Sequence, residues 1–141
     1  MREILFRAKR IDNGEWVEGC LVIDHSRSNL FEYRIQPVES GTLYASPINP
    51  ETLCQFTGLY DRYGNKIWEN DILKTRSDEY AQVKFGLYNP GSAVSEYNQG
   101  FYVAFSENSY YRQELGFWCK KSYVRGNAFD NLELLQEESN E

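Results

Sequence analysis

The sequence predicts a mainly β protein: a single curved antiparallel sheet that closes into an SH3-like or barrel-like domain with short helical turns. Apolar and polar residues alternate over several short stretches, and turn-forming residues separate these stretches. Aromatic residues make up 16% of the chain, and they favour strands over helices. At 141 residues the chain predicts one domain over 1–141, of which 136–141 form an acidic tail that can fray.

The N-terminal part of the chain predicts a β-hairpin followed by a third strand. Ile4–Ile11 and Glu15–Asp24 alternate in polarity and flank Asp12-Asn13-Gly14, which is a strong turn signal. Leu30–Val38 is the third predicted strand. Asn49-Pro50 suits the start of a helix, because Asn caps a helix N-terminus and Pro is tolerated at its first position. We therefore expect one helical turn there.

The stretch Thr52–Lys74 has the clearest local pattern in the chain. Leu53–Leu59 alternates as a strand, and Asp61–Asn65 predicts a tight turn because Asp, Gly and Asn favour turn conformations. A short apolar arm, a second turn and a new strand follow up to Lys74. We interpret the stretch as the corner that sets the shape of the barrel. The residues with structural roles in this motif are Gln55, Thr57, Gly58, Asp61, Gly64, Trp68 and Asp71.

The C-terminal half predicts three more strands. Tyr80–Leu87 reads as a strand with Val83 and Phe85 facing inward, and Gly100–Phe105 alternates well. Tyr88–Gly100 is rich in small and polar residues and predicts a long flexible loop. The other expected elements are a strand or short helix at Tyr110–Leu115, a closing strand at Ser122–Asn127, and a short helix from Asp130 or Asn131 through Leu135.

The corner also carries a resemblance to a known family. The run QFTGLYDRYGNKIWENDIL resembles the signature of the YopX family of phage and prophage proteins, Q-[YF]-T-G-L-x-D-x-x-G-x-x-I-[YW]-x-x-D-I-[LV]. The N-terminal ILFRA with Trp16, and VRGN followed by NLELL, are similar to the family's opening and closing patterns, although Leu132 stands where the family usually has Pro. The resemblance spans the chain in order. It implies a mainly β, YopX-like fold and a mobile-element origin, and it implies no activity, catalytic residues or ligand residues.

Charge and cysteine usage exclude several classes of protein. The net charge of −6 argues against a general nucleic-acid binder. Four of the acidic residues lie at position 133 or beyond, so the net charge is compatible with a basic patch elsewhere on the protein. Cys20, Cys54 and Cys119 lack a C-x-x-C pattern, which predicts buried free thiols in a reducing cytoplasm. The sequence predicts no signal peptide and no membrane span, and therefore a cytoplasmic protein. The resemblance to the YopX family implies that this cytoplasm is that of a bacterial host cell.

Candidate catalytic groups are few. His25 is the only histidine and lies beside a polar loop, so we expect it at the surface and not in a catalytic site. Asp61 and Asp71 could serve acid–base chemistry or bind a hard cation, but Asp in turns usually binds its own backbone. We therefore expect that the protein is not an enzyme, has no catalytic residues, and binds no cofactor and no metal.

Aromatic residues are too numerous for so small a core, and exposed aromatics are typical of protein interfaces. The leading hypothesis is an accessory protein that self-associates as a homo-oligomer or binds a host or phage protein. The first alternative is a nucleic-acid-binding small β-barrel that uses Arg112–Arg125, and the lower alternative is an acidic DNA mimic that inhibits a host protein. The predicted interaction surface comprises Tyr60, Tyr63, Trp68, Tyr110, Arg112, Lys120, Lys121 and Arg125.

Overall fold

The protein is mainly β, as the sequence predicts, and its strands form two antiparallel sheets. The computed structural model describes residues 2–24, 33–38, 44–89, 97–105 and 112–136. The strands are β1 (Phe6–Lys9), β2 (Trp16–Ile23), β3 (Tyr33–Pro37), β4 (Ser46–Pro47), β5 (Cys54–Tyr60), β6 (Lys66–Trp68), β7 (Asp71–Thr75), β8 (Tyr80–Tyr88), β9 (Asn98–Phe105) and β10 (Ser122–Asn127). The helices are α1 (Leu115–Trp118) and α2 (Glu133–Gln136), and two 3-10 turns lie at Pro50–Thr52 and Cys119–Lys121.

The chain divides into two compact units, Met1–Phe56 and Thr57–Glu141, and β5 runs through the boundary. The expectation of one domain over 1–141 stays a prediction. Within the described residues neither sheet closes on itself, so the predicted SH3-like or barrel-like closure also stays a prediction. In the same part of the chain, no helix has the length and apolar character needed to cross a membrane.

The first unit is built on the predicted hairpin. Strands β1 and β2 pair antiparallel, and the strand order in this unit is β4-β3-β2-β1-β5. Alternation directs Ala8, Ile35 and Ile48 to one core, where each is at most 1% exposed. The expected helical turn also forms, because the Asn49 side-chain oxygen accepts a 3.0 Å hydrogen bond from the Glu51 N–H, with Pro50 at the first position.

One cysteine prediction is wrong. Cys54 and Cys119 are buried free thiols, as expected, but Cys20 is exposed. The cause lies in strand β2, where Glu18, Cys20 and Val22 fall on the same solvent-facing side at a spacing of two residues. The period of the strand therefore decides the exposure of Cys20, although cysteine is most often a buried residue.

The second unit contains the sheet β10-β7-β8-β9. One face of this sheet carries the unit's core, and Leu73, Val83 and Val103 on it are at most 1% exposed. Ile67 from β6 and Leu115 from α1 pack against the same cluster, and Leu59 from β5 is partly buried there. Burial of this face therefore joins the end of β5, strand β6 and helix α1 to the sheet.

The C-terminal elements differ from the sequence predictions at three points. Phe85 is 52% exposed and does not face inward into the core as predicted. The predicted loop Tyr88–Gly100 is shorter at both ends, because β8 includes Tyr88 and β9 begins at Asn98, while 90–96 lie outside the described residues. At the undecided stretch 110–115, Leu115 begins α1, and 110–111 lie outside the described residues, as does His25.

Candidate functional site

The corner between β5 and β6 is fixed by the Asp61 carboxylate. Its Oδ1 accepts hydrogen bonds from the main-chain N–H groups of Tyr63 and Asn65, both at 2.9 Å. Its Oδ2 accepts a 2.8 Å hydrogen bond from the N–H of Val124, which lies 63 residues later on β10. Next to it, the N–H of Arg62 donates to the carbonyl of Ser122 at 3.0 Å. The corner thus occupies the edge of β10 that strand β7 leaves unpaired, and a covered edge cannot pair with another chain.

These contacts determine the ionisation of Asp61. The side chain is only 5% exposed. Burial raises the pKa of this carboxyl, but the hydrogen bonds from the N–H groups of Val124, Asn65 and Tyr63 and from the Asn65 side chain outweigh that effect. The pKa of Asp61 consequently lies below its ordinary value of 3.8, and the ionised form is the one that the folded corner prefers.

The rest of the corner motif has comparable structural contacts. The Asp71 carboxylate is 1% exposed and accepts a 2.8 Å hydrogen bond from the Trp68 N–H. The Thr57 hydroxyl donates to the carbonyl of Ile67 at 2.7 Å, which ties β5 to β6. Gly58 has a φ of +84°, a conformation that side chains with a Cβ seldom adopt. Two further motif positions are Gly64, which has a positive φ in the turn, and Gln55, which pairs with Phe6 on β1.

The two carboxylates are poorly suited to chemistry on a bound molecule. Both are buried; Asp61 accepts hydrogen bonds from the main-chain N–H groups of the corner and of β10, and Asp71 accepts one from the main chain of β6. Among the described residues, no group of three or more Asp, Glu, His or Cys side chains is arranged to hold a metal ion. What the geometry of the corner accounts for is the local fold, since Asp61 and Asp71 hold the turns on either side of β6.

Of the aromatic residues in the predicted interaction surface, two tyrosines are exposed and the tryptophan is buried. Tyr60 is 44% exposed and Tyr63 is 65% exposed, so both lie at the surface. The Tyr63 ring packs on Tyr123 of β10 at 5.6 Å between centroids. Trp68, in contrast, is 3% exposed, which places it in the interior and not on the predicted surface. Tyr110 lies outside the described residues.

The basic residues of the predicted surface are all exposed, and the charge of one of them is partly compensated. Arg112 forms a 2.6 Å ion pair with Glu114, so part of its charge is compensated. The Lys121 ammonium lies 3.9 Å from the centre of the Phe117 ring, which the Arg112 guanidinium also contacts at 4.2 Å. Lys120 and Arg125 are exposed on the 3-10 turn and on β10, respectively.

A further surface, which the sequence patterns did not indicate, lies on β8 and β9. Strand β7 pairs with β8 only as far as Gln82, whereas β8 and β9 stay paired up to Tyr88↔Asn98. Lys84–Tyr88 and Asn98–Tyr102 therefore continue as a two-stranded segment, which we call the ribbon; at its inner end Tyr102 also forms a single β-bridge with Glu114. Isolated two-stranded segments are marginally stable in water, so the ribbon depends on packing at its faces.

One face of the ribbon is apolar and largely uncovered. Phe85 and Leu87 lie on the same side of β8 as the buried Val83, because side chains alternate along a strand. Phe85 is 52% exposed and Leu87 is 70% exposed. The Phe85 ring contacts its cross-strand partner Phe101 edge to face, at 5.1 Å between centroids. We call this surface, formed by Phe85, Leu87 and Phe101, the apolar face.

The opposite face of the ribbon is formed by tyrosines over glycines. The rings of Tyr88 and Tyr102 stack at 5.8 Å between centroids. Gly86 and Gly100 pair between them, and a Cβ at either position would lie 3.7–3.8 Å from the nearer ring. The only charged side chain of the ribbon, Lys84, lies on this opposite face. The apolar face consequently carries no charge.

Comparison with known proteins identifies a family for nearly the whole chain. A model of the YopX protein family matches residues 5–136, which is nearly the full chain. A search of curated proteins finds no match. The family match includes the Asp61 corner, the ribbon and the closing strand β10 that the corner binds. The chain therefore belongs to the YopX family.

Proposed function

We propose that this YopX-family chain is a non-enzymatic accessory protein that acts by contact with other proteins, and that it self-associates through the apolar face of the ribbon. The observation that carries the proposal is the exposure of Phe85 and Leu87, at 52% and 70%. Large exposed apolar side chains that adjoin one another are typical of interaction sites, whereas single ones are ordinary.

The energetics favour a weak, concentration-dependent association. Full burial of a Phe or Leu side chain is worth about 1.5–3 kcal/mol. With roughly half to two thirds of each side chain still exposed, Phe85 and Leu87 in two copies would contribute about 4–8 kcal/mol. Association costs about 4–15 kcal/mol in lost freedom, so the gain and the cost are of the same order. At the favourable end of both ranges about 4 kcal/mol remains, so we expect a dissociation constant of about 1 mM.

A second copy of the chain is the partner that best suits this face. The chain carries a net charge of −6, which repels a second copy at long range, so a contact between two copies is most favourable where the touching surfaces add no further charge repulsion. The described residues of the apolar face bear no charge, and Lys84 points to the other side. A two-fold contact between two such faces buries apolar area on both sides and leaves no charge unpaired.

Sedimentation velocity over a range of protein concentrations tests the proposal. We expect the wild type to shift from monomer to dimer, and the double variant Phe85→Ser with Leu87→Ser to stay monomeric. The matched control is Tyr63→Ser, which removes an aromatic side chain that is 65% exposed at the corner. A wild type that stays monomeric at several hundred micromolar, or a control that dissociates as readily as the double variant, would contradict it.

The biological setting is part of the same proposal. The family resemblance supports a phage or prophage protein that works in the cytoplasm of a bacterial host, where a phage or host protein is a further candidate partner. The absence of catalysis is also proposed, and it is supported by the use of Asp61 and Asp71 as ligands for main-chain N–H groups. Loss of a measurable activity on mutation of Asp61 in a stably folded variant would overturn it.

The first alternative is contact with nucleic acid along Arg112–Arg125, on a small barrel if the sheets close. Lys120, Lys121 and Arg125 are exposed, which supports it, while Arg112 is paired with Glu114. Titration with single-stranded DNA and RNA at low salt separates it from self-association, since phosphate binding weakens steeply as salt rises. The lower alternative, an acidic DNA mimic, gains little support, because Glu18 and Asp71 are the only acidic residues in the described strands.

A further inference from the structure

A cavity of about 360 Å³ lies in the second unit between the β7–β8 turn and the segment that connects α1 to β10. Thr75, Arg76 and Ser77 line one side, and Trp118 and Lys121 line the other. Its volume lies near the lower end of the range for small-molecule sites, about 300–1,000 Å³. The cavity does not overlap the ribbon, and its occupation does not depend on self-association.

The walls of the cavity are held by hydrogen bonds. Ser122 pairs with Thr75 across β10 and β7, and its hydroxyl donates to the carbonyl of Trp118 at 2.8 Å. The Thr75 hydroxyl accepts the N–H groups of Ser77 and Glu79, both at 3.3 Å, which fixes the turn. The site is therefore built from paired backbone on both sides, so little ordering is needed before a ligand binds.

The charge of the cavity is positive. Arg76 and Lys121 are both exposed, and none of the described residues that line the space is acidic. Two of the neighbouring acids pair with other bases: Asp78 lies 3.6 Å from Lys74, and Glu114 pairs with Arg112. Within the described residues Arg76 forms no ion pair. An anion can thus approach two cationic side chains without displacing a carboxylate, and a guanidinium beside an ammonium suits a phosphate group.

Trp118 adds an aromatic wall of fixed orientation. Its indole N–H donates to the carbonyl of Arg112 at 3.0 Å. The rings of Phe105 and Phe117 contact it edge to face at 5.1 and 5.2 Å. Part of its surface packs on the core, and the rest lines the cavity. A tryptophan held in this way is a surface on which a nucleobase can stack.

We propose that this cavity binds one nucleotide, with its base against Trp118 and its phosphate between Arg76 and Lys121. The nucleotide can be free or part of a single strand, since both present the same base and phosphate. The proposal gives the nucleic-acid alternative a defined site, and it adds Arg76, which lies outside the segment Arg112–Arg125 that the sequence indicated.

Fluorescence titration at low salt, with AMP and with a ten-residue oligothymidylate as probes, tests the proposal. We expect quenching of tryptophan fluorescence and a loss of affinity of at least about fivefold in each of Arg76→Ala and Lys121→Ala. The matched control is Lys120→Ala, which removes the adjacent exposed lysine outside the cavity lining and should change affinity by less than about twofold. Trp118→Phe keeps an aromatic wall and should weaken binding less than Trp118→Ala. Because both variants lack the tryptophan that is quenched, their affinities are measured by isothermal titration calorimetry, with circular dichroism as the check on folding.

The outcomes distinguish a site for a free nucleotide, a site for a nucleotide within a strand, and the absence of a nucleotide site. Binding of AMP that depends on Arg76 and Lys121 supports a site for a free nucleotide. Binding of the oligonucleotide alone, with the same dependence, supports a site for a nucleotide within a strand. No binding of either probe at millimolar concentration in low salt overturns the proposal. Equal losses in Lys120→Ala and Lys121→Ala also overturn it, because they indicate diffuse attraction to charge and no defined site. Sedimentation of the same variants reports self-association independently.

Discussion

Replacement of Asp61 by Asn tests whether the corner depends on a carboxylate. The ionised side chain accepts four hydrogen bonds, from the N–H groups of Tyr63, Asn65 and Val124 and from the Asn65 amide. Asn has one acceptor oxygen and one NH₂ donor. Whichever way the new amide is oriented, its NH₂ group faces at least one N–H donor that the carboxylate had satisfied.

The expected loss of stability follows from these contacts. The N–H groups of Tyr63 and Asn65 lie in an exposed turn, where water can replace part of the lost interaction. The bond to the Val124 N–H is part-buried on β10 and is made to a charged acceptor, which is worth about 1.5–3 kcal/mol. We therefore expect Asp61→Asn to lower the free energy of unfolding by about 2–3 kcal/mol at neutral pH. Asp61→Ala, which leaves all the donors without an acceptor, should lower it by more.

The loss should also depend on pH in a defined direction. Because the pKa of Asp61 in the folded protein lies below 3.8, the contribution of its ionised form is complete at pH values well above 3.8. It is lost as the pH falls through the folded-state pKa, where the carboxyl becomes protonated. The difference in stability between the wild type and Asp61→Asn should therefore be largest near neutral pH and shrink below about pH 4.

Urea denaturation followed by tryptophan fluorescence, at pH 7 and at about pH 3, measures both effects. The control is Asp78→Asn, which removes the same charge at an exposed position whose φ of +60° asparagine also tolerates. It should cost less than about 1 kcal/mol, because its only ion pair is exposed. The reasoning is refuted if Asp61→Asn is as stable as the wild type at pH 7, or if the difference between them does not shrink in acid.

Two further pairs of substitutions test the backbone conformation and the packing of the second unit. Gly58→Ala should lower the free energy of unfolding by about 1–2 kcal/mol, because φ at this position is +84°; no steric clash contributes, since no atom lies within 4 Å of the added Cβ. The control is Gly116→Ala, whose Cβ also meets no atom and whose φ is not positive, so it should leave the stability unchanged or raise it. Thermal denaturation that ranks the two variants otherwise would contradict this. Leu73→Ala, at a residue that is 1% exposed, should lower the free energy of unfolding by about 2–5 kcal/mol, as measured by urea denaturation. Leu87→Ala, at a residue that is 70% exposed, should lower it by less than about 0.5 kcal/mol in dilute solution. Similar losses in the two variants would show that the apolar face is not exposed as described.

Local sequence patterns predicted the features that depend on neighbouring residues. Alternation located the corner strand, and the Asn49-Pro50 signal located the first helical turn. The closing strand was predicted with the bounds that the structure has, Ser122–Asn127. The turn at Asp61 was also predictable, because an Asp followed by Gly and Asn binds its own backbone. The bond from Val124 to the same carboxylate was not predictable, since it joins residues 63 positions apart in the sequence.

Features that depend on tertiary contacts were missed or misplaced. Alternation correctly placed Phe85 on the same side of the strand as Val83. It cannot predict how far along the strand other parts of the chain cover that side, so the exposure of Phe85 was missed. Trp68 was expected at the surface because tryptophan is frequent in interfaces, yet packing around the arm buries it to 3% exposure. The cavity was missed because Arg76 and Trp118 come from distant segments that only the pairing of β7 with β10 brings together.

The most direct test of the central claim, self-association through the apolar face, is amide hydrogen exchange measured as a function of protein concentration. Exchange reports protection segment by segment, so it locates the contact as well as detecting it. We predict that protection of 84–88 and 98–102 rises with concentration, while the N–H groups of Tyr63, Asn65 and Val124, already bound to Asp61, do not change. Protection of the ribbon that stays constant from about 1 µM to several hundred micromolar would contradict the claim.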